Sequence, residues 1–319
     1  MLTSFKRAEQ GDRSAEQMQI TVMRAELAAQ IERFTGTDGL HPSAIANLYF
    51  GRASRTQVPA HTIHHPAFCL MAQGSEQVLL NDEVYIYDSN HYLVVSQNLP
   101  ISAHHMDVSE EHPVLGLRID FEPKDIASAL LQMGPLQKPP SQKPQRGLFT
   151  GELSAALLDA VLRLVNLLHA PGDIAALAPL YMREILYRLL TRPDGWRLAQ
   201  MATSDSHSLR IARAISWLQA HYSRPLAVEE LAREVHMSVS SLHVHFKAVT
   251  AMSPLRFQKQ LRLQEARRIM LTEKVAAGIA GNRVGYESQA QFNRDYSRFF
   301  GAPPVRDIKR LLEEKLRAA

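Results

Sequence analysis

The feature that most constrains the fold of this 319-residue chain is a pattern that occurs twice within residues 228–300. One copy occupies about residues 228–249 and the other about residues 276–300. In each copy an apolar-faced helix is followed by a turn of three to four residues and by a second apolar-faced helix, which is the pattern of a helix-turn-helix unit. Two such units close together predict a protein that lays two helices into the major groove of DNA.

Charge is distributed unevenly between the two parts of the chain. Residues 207–319 contain 19 Lys and Arg against 10 Asp and Glu, a net charge of +9, whereas the rest of the chain carries −5. A solvated basic surface is the simplest interpretation of such a segment taken alone. Because the positive charge coincides with the repeated pattern, it favours a segment that binds a polyanion.

The second helix of each unit presents a polar stripe opposite its apolar residues. Arg can pair with guanine in a bidentate manner, Gln and Asn can do so with adenine, and an aliphatic side chain can contact a thymine methyl. The candidates for reading bases are Ser240, His243, Val244, Gln289, Gln291, Asn293 and Arg294. Basic side chains beside them are candidates for phosphate contacts, which set affinity and register. These are Lys247, Arg256, Lys259, Arg262 and Arg298, with Arg267 and Arg268 on the same connecting helix.

The connecting helix is predicted to begin at Ser253-Pro254, an N-cap followed by proline at the first helical position, and to end near Met270. Its length of about 26 Å, with the turns at its ends, is of the order of the roughly 34 Å between successive major-groove faces. The spacing therefore predicts that both units contact one face of the duplex.

The first half of the chain is predicted to be mostly β-structure rather than helical. A helix is predicted over about Gln17–Phe34, and short β-rich runs separated by turn residues extend from about Ala46 to Phe121. Val78–Leu80, the turn Asn81-Asp82 and Val84–Tyr87 predict a hairpin. Pro135–Gly147 is predicted to be a loop, and two Leu- and Ala-rich helices follow it. We expect an α+β multidomain fold, with a small β-rich barrel or sandwich flanked by helices and a C-terminal all-α domain with two helix-turn-helix units.

The segments described so far resemble a known family. Residues from about His207 to Leu312 resemble the DNA-binding domain of AraC/XylS-type transcription regulators. Two N-terminal segments resemble the cupin-like sensor domain that precedes it in one branch of the family. The segments that carry these resemblances are Leu242–Lys247, Arg283–Ser288, Gln291–Arg294, Phe299–Pro304, Cys69–Gly74 and Tyr87–Ser96. The resemblance covers most of residues 46–312. It implies a cupin-like barrel for the β-rich part, a small-molecule effector and a homodimer on paired sites.

Two departures from the family pattern bear on function. Where the family commonly has Arg in the first recognition helix, this chain has Val244, while Arg294 holds the equivalent place in the second. Valine cannot read guanine, so we expect base selection to depend more on the second unit. The first helix of that unit contains Gly278 and Gly281, each costing about 1 kcal/mol relative to alanine, and we expect it to be short or frayed until DNA is bound.

The β-rich part contains many histidines and the single cysteine of the chain. Cupin-type barrels often hold a metal with histidines and a carboxylate, so His61, His64 and His65 are weak metal candidates. Adjacent histidines point to opposite faces of a strand, and scattered surface histidines are the alternative. Cys69 is a weak effector-sensing candidate, with small core filler as its alternative. No metal and no cofactor is therefore expected.

The sequence as a whole predicts a one-component transcription regulator that is not an enzyme. The predicted parts are an N-terminal helical segment (1–40), a cupin-like sensor domain (41–122), a helical region with a possible dimerisation role (123–206) and a DNA-binding domain (207–319). Its expected partners are double-stranded promoter DNA, a small-molecule effector, a second copy of the chain and, if it activates transcription, RNA polymerase. The alternative is a metal-dependent cupin-type enzyme with an accessory DNA-binding domain.

The sequence also predicts where the protein acts. The polar N-terminus lacks the apolar core of a signal peptide, and no apolar run approaches the roughly 20 residues of a membrane span. A single cysteine cannot form an internal disulfide and fits a reducing compartment. We therefore expect a cytoplasmic protein that does not associate with membranes.

Overall fold

The architecture is taken from a computed structural model that describes residues 2–55, 60–133, 145–202 and 207–318. Most of the predicted Pro135–Gly147 loop lies outside these residues. The strands are β1 Gly39–Pro42, β2 Leu48–Ala53, β3 Ala60–His64, β4 Ala67–Gln73, β5 Ser75–Leu80, β6 Glu83–Asp88, β7 His91–Val95, β8 Leu99–Met106, β9 Val114–Asp120 and β10 Leu148–Glu152. The helices are α1 Leu2–Phe34, α2 Pro123–Met133, α3 Ala155–Asn166, α4 Ile174–Leu190, α5 Gly195–Ala199, α6 His207–His221, α7 Val228–Glu234, α8 Val239–Thr250, α9 Pro254–Glu273, α10 Ala277–Arg283, α11 Gln289–Phe300 and α12 Pro304–Ala318.

The strands form two antiparallel sheets. One has the order β1-β2-β9-β4-β7-β10 and the other the order β3-β8-β5-β6. β10 extends the larger sheet by pairing with β7, so the β-structure continues beyond residue 122. The predicted hairpin is confirmed as β5 and β6, joined by Asn81 and Asp82 with Leu80 opposite Glu83. Asn81 adopts a positive φ of 57°, which asparagine tolerates better than most residues.

Strand β4 shows how the larger sheet is covered on both faces. Alternate side chains of a strand point to opposite faces. Ala67, Cys69 and Met71 pack between the two sheets, whereas Phe68 and Leu70 pack on the other face against helices. This explains why β4 is a continuous apolar run rather than an alternating one.

Helices α1 to α5 contribute to the core on that outer face. Leu27 and Ile31 of α1, Ile126 of α2 and the Leu-rich faces of α3 and α4 belong to one buried cluster with the larger sheet. α3 begins at an N-cap, where the Ser154 side chain accepts from the Leu157 amide. The two Leu- and Ala-rich helices therefore contribute mainly to core packing.

The helices from α6 onward form two bundles joined by α9. α6 to α8 and the first half of α9 pack together, and their cluster is continuous with the apolar residues between the two sheets. The second half of α9 packs with α10 to α12 around Phe292 and Tyr296. α9 ends at Glu273, three residues beyond the predicted end, and is about 30 Å long at 1.5 Å per residue.

The predicted fold class is confirmed, because an N-terminal antiparallel β-sheet domain with flanking helices precedes an all-helical C-terminal domain. No single helix among the described residues is long and apolar enough to cross a membrane. α3 and α4, each with the short helical turn beside it, meet that criterion only as a pair bent by 117°.

Candidate nucleic-acid interface and effector cavity

The first helix-turn-helix unit consists of α7 and α8. Its turn closes through a hydrogen bond from the Met237 amide to the Ala232 carbonyl, with His236 at a positive φ of 53°. Ser238 caps α8 by accepting from the Ser241 amide. The inner face of α8 is anchored by Leu242 and Phe246, which are fully buried. The predicted stripe on the opposite face is exposed: Ser240, His243, Val244 and Lys247.

The second unit, α10 and α11, repeats these contacts. The Tyr286 amide donates to the Gly281 carbonyl, and Gly285 at φ 90° takes the place that His236 has in the first unit. Any side chain at Gly285 would collide with the Ser223 carbonyl oxygen, 1.8 Å from an ideal Cβ. This turn is one residue longer, and Ser288 caps α11. Gln289, Gln291 and Arg294 are exposed on α11, and Asn293 is half-buried.

The two glycines of α10, expected to leave it short or frayed until DNA is bound, do not make it shorter than the first helix of the other unit. α10 has seven residues, as many as its counterpart α7. Gly281 is buried under the ring of Phe292, and a Cβ there would approach the ring to 3.0 Å. The glycine therefore permits close helix packing, which offsets part of its cost in helix propensity.

The cations predicted to contact phosphate differ in whether they already form an ion pair within the protein. Lys247 and Arg298 are exposed and have no ion-pair partner within the described part of the chain. Arg256 lies 3.6 Å from Asp82 of the β5–β6 turn, and Lys259 forms a 2.9 Å ion pair with Asp295 of α11. Both remain about half exposed. Arg268 forms a bidentate pair with Glu265 on its own helix.

Arg262 and Arg267 were predicted to contact phosphate, but the structure bonds both guanidinium groups within the protein. Arg262 donates hydrogen bonds to the carbonyl oxygens of Tyr222, Ser223, Arg224 and Gly285. It thereby ties the loop after α6 to the turn of the second unit.

Arg267 is nine-tenths buried. Its Nε lies 2.8 Å from Asp307 Oδ2 and its Nη2 lies 3.0 Å from Oδ1. Tyr296 and Arg310 donate to the same carboxylate. The Arg267 guanidinium is therefore paired inside the bundle and is not available to a phosphate.

A cavity of about 140 Å³ opens between the two sheets of the β-domain. Its apolar lining includes Leu40, Met71, Val114 and Leu117. Gly116 on β9 leaves room for the Met71 sulfur, which lies 2.8 Å from an ideal Cβ at that glycine. The ionisable side chains that line it are His64, Cys69, Glu76, Tyr87, His105 and Arg118.

Cys69 lies beside His64, one of the three candidate metal ligands. Cys69 is buried, burial raises the pKa of its thiol far above the ordinary range, and its Sγ lies 3.7 Å from His64 Nε2. This environment does not favour the reactive thiolate. His64 Nδ1 donates to the His65 carbonyl, and burial lowers the His64 pKa, so the ring is neutral near pH 7.

His65 and His61 point elsewhere. His65 Nδ1 lies 2.9 Å from Asn98 Oδ1. The His61 ring packs on Phe299 and Phe300 of α11, at centroid distances of 4.8 and 5.1 Å. Within the described ranges, no three His, Cys, Asp or Glu side chains are grouped so as to hold a metal ion. The three histidines therefore do not converge.

Sequence reasoning missed the polar cluster of the cavity, Glu76 with Tyr87 and His105. Tyr87 Oη donates to Glu76 Oε2 at 2.6 Å, and His105 Nε2 lies 3.5 Å from Oε1. Glu76 stands directly opposite Tyr87 in the hairpin register. The two-residue turn Asn81-Asp82 was predicted. The fifth residue before this turn is Glu76 and the fifth residue after it is Tyr87, so the hairpin register alone could have paired them.

The turn of the same hairpin contacts the C-terminal end of α8. Glu83 binds the guanidinium of Arg146, which also donates to the carbonyls of Lys247 and Ala248 at 3.2 and 2.5 Å. The Gly147 amide donates to the Val249 carbonyl at 2.9 Å, and Asn81 Nδ2 donates to the Ala251 carbonyl at 3.2 Å. We call this set of contacts the hairpin clamp.

The β-domain thus contacts both recognition helices at their C-terminal ends. The hairpin clamp holds α8, and His61 packs against the last turn of α11. Burial, with a smaller contribution from Arg267, lowers the pKa of His61 to about 4, while Asp307 opposes this shift. The outward stripes of α8 and α11 remain exposed beside these contacts.

Comparisons with known proteins match both halves of the chain. A model described as the AraC-type transcriptional regulator N-terminus matches residues 44–197, and a helix-turn-helix domain model matches residues 231–310. The HTH-type transcriptional activator RhaS of Klebsiella pneumoniae (strain 342) is 27% identical over 158 residues, 49% of this chain and 56% of that protein. The raffinose operon transcriptional regulatory protein RafR of Pediococcus pentosaceus is 27% identical over 142 residues, 44% and 50% of the two chains. The chain therefore spans about half the length of the curated relatives it matches.

Solved structures support the same architecture. An apo variant of ToxT from Vibrio cholerae strain SCE256 superposes with a TM-score of 0.55 at 10% identity, covering 84% of this chain and 98% of that one. Wild-type ToxT with a bound unsaturated fatty acid gives 0.50 at 11% identity, covering 82% and 93%. At such low identity this likeness shows the fold alone. Because the two family models cover both the β-domain and the helix-turn-helix units, the chain belongs to the AraC-type transcriptional regulators.

Proposed function

We propose that this protein is a one-component transcription regulator. It binds double-stranded promoter DNA through α8 and α11 and responds to a small molecule held in the β-domain cavity. The observation that carries the proposal is the pair of capped recognition helices, each buried on one face and exposed on the predicted polar stripe. The matched relatives are transcription regulators, and no enzymatic activity is proposed.

The two recognition helices are proposed to contribute unequally to base selection. Arg294, Gln289 and Gln291 on α11 are exposed and carry groups that pair with guanine and adenine edges. On α8 the equivalent of Arg294 is Val244, which is 60% exposed and offers only an apolar contact. We propose phosphate contacts from Lys247, Arg256, Lys259 and Arg298, the predicted cations that stay exposed.

The β-domain cavity is proposed as the effector site, with the β-domain as sensor and the helices from α6 onward as the DNA-binding part. ToxT, which shares the fold, has been solved with a small molecule bound, and this supports a sensing role for the architecture. The β5–β6 hairpin offers a route from the cavity to the DNA-binding part. It carries Glu76 and Tyr87 at the cavity and the hairpin clamp at its turn.

We also propose that the protein forms a homodimer. An open groove of about 390 Å³ between α2 and α4 is lined by the exposed side chains of Leu180 and Tyr187. Exposed apolar surface of this kind is typical of protein interfaces. RNA polymerase is a further proposed partner if the protein activates transcription. We also propose that the protein acts in the cytoplasm, because its proposed partner is promoter DNA.

The test of the proposed function is binding of the purified full chain to genomic DNA fragments, followed by affinity measurements on the selected site. Arg294→Ala should weaken binding by about 1–3 kcal/mol, roughly 5- to 150-fold, because it removes a bidentate base contact. Val244→Ala should have a smaller effect. Arg33→Ala, which removes an exposed cation in the last turn of α1, is the matched control and should leave affinity unchanged.

Selection of no specific DNA fragment would refute the proposed function. A larger loss of affinity in Val244→Ala than in Arg294→Ala would refute the unequal roles of the two helices. Binding should also weaken steeply as salt is raised, since phosphate contacts release counterions.

A further inference from the structure

The charges that line the effector cavity do not balance. Arg118 is ion-paired with Asp120 of its own strand: its Nη2 donates to Asp120 Oδ2 at 3.1 Å, and its Nε lies 2.8 Å from Oδ1. Its guanidinium carbon also lies 4.6 Å from the centre of the Tyr49 ring on β2. His64 and Cys69 contact each other and carry no charge near pH 7. These groups leave the cavity without a free cation.

Glu76 is the remaining charged group, and its side chain is only 16% exposed. Tyr87 donates a hydrogen bond to one carboxylate oxygen, and this stabilises the carboxylate without neutralising it. Burial and the nearby Glu76 raise the pKa of Tyr87 well above its ordinary value, so the phenol stays a donor. The other oxygen, Oε1, has His105 Nε2 at 3.5 Å, a long contact from a ring that is charged only when protonated.

A partly desolvated carboxylate with this partial set of donors binds a cation better than it binds an anion. On the opposite sheet the side chains of Met71 and Val114 give the cavity an apolar part. A volume of about 140 Å³ corresponds to roughly five water-sized groups. The ligand that fits is therefore small, with one cationic end and one short apolar end.

We propose that the effector of this cavity is a small aliphatic amine. Its ammonium group binds Glu76 Oε1, and its alkyl chain packs on Met71 and Val114. This inference rests on the proposed function, because it names the ligand class of the sensor cavity. A fatty acid such as the one named for ToxT would place a carboxylate beside Glu76, and repulsion between like charges disfavours it here.

The test uses three probes of nearly equal shape that differ in charge: isopentylamine, isopentanol and isovalerate. Calorimetric titration of the full chain should show the amine binding at least about tenfold more tightly than the alcohol, and isovalerate most weakly. Glu76→Gln should remove the preference for the amine and leave the alcohol unaffected. Glu110→Gln, an exposed carboxylate of the same domain, should change nothing.

Tyr87→Phe guards against misfolding as an explanation. It keeps the carboxylate and removes one of its donors, so amine binding should persist or tighten, and thermal unfolding reports whether each variant is folded. Preference for isovalerate, an unchanged preference in Glu76→Gln, or binding of none of the probes would overturn the amine class. DNA selection by the unliganded protein is measured separately, so failure of the amine proposal leaves a regulator that still binds DNA.

Discussion

The hairpin clamp predicts a measurable change when Glu83 is replaced by alanine. Glu83 orients the Arg146 guanidinium, which donates to two carbonyls in the last turn of α8. The pair is about one-third exposed, with 30% of the Arg146 side chain and 40% of the Glu83 side chain accessible, so the value for a buried pair does not apply. Hydrogen bonds to charged groups contribute about 1.5–3 kcal/mol. Because the pair is partly exposed to solvent, we expect Glu83→Ala to cost about 1–2 kcal/mol. This shifts the equilibrium between the closed and the open domain boundary by roughly 5- to 30-fold.

The assay is hydrogen exchange at the Gly147 amide, because this amide donates across the domain boundary to the Val249 carbonyl. Its protection reports opening of the boundary directly. Glu83→Ala should lower that protection by roughly 5- to 30-fold. Glu110→Ala removes an exposed ion pair with Arg55 elsewhere in the β-domain and is the control. Unchanged protection of Gly147 in Glu83→Ala, or an equal change in the control, would refute the role of the clamp.

The same carboxylate gives the clamp a pH dependence of known sign. Hydrogen bonding by Arg146 is the main cause that lowers the pKa of Glu83 below its ordinary 4.5 in the folded protein. The clamp contribution is therefore fully present above about pH 4.5 and is lost as the pH falls through the lowered value. Protection of Gly147 that is insensitive to pH in this range would contradict the assignment.

Three further predictions concern other sites. Asp307→Asn should destabilise the second helix-turn-helix unit by about 3 kcal/mol, because it leaves a buried arginine unpaired; denaturant unfolding checks this, and a loss below about 1 kcal/mol would contradict it. The stability contributed by the contact of His61 with the α11 phenylalanines should be fully present above about pH 6.5 and decrease as pH falls towards about 4, because the ring binds a proton more readily in the unfolded protein. NMR titration of the ring in the folded protein should give the lowered pKa of about 4, and an ordinary value would contradict the packing. Cys69→Ser should leave any transcriptional response to thiol-reactive compounds unchanged, since the thiol is buried and its pKa is raised; loss of such a response in a reporter strain would show that Cys69 senses them.

The sequence predicts the helix-turn-helix units well because their determinants are local. The spacing of Leu242 and Phe246, and of Phe292 and Tyr296, fixes which side of each recognition helix is buried. The exposed stripe then follows from helix periodicity. The hairpin is predicted for the same reason, since a two-residue turn between alternating runs fixes its register.

The roles of the arginines are not predictable in this way. Arg262 and Arg267 lie on the same helix as Arg256 and have the same charge, but one meets four carbonyls and the other a buried carboxylate. These partners are 23 to 40 residues away, so sequence spacing carries no information about them. The same holds for His61, whose contact with α11 spans more than two hundred residues.

The position of the β-domain contacts has a thermodynamic consequence. Because they lie at the C-terminal ends of α8 and α11 and leave the outward stripes exposed, a ternary complex of protein, effector and operator is sterically possible. The two ligands then do not compete for one surface, and linkage requires each to change the affinity of the other by the same factor. The effector concentration at half-saturation should therefore differ between operator-bound and free protein. The factor should equal the one by which the effector changes the affinity for DNA.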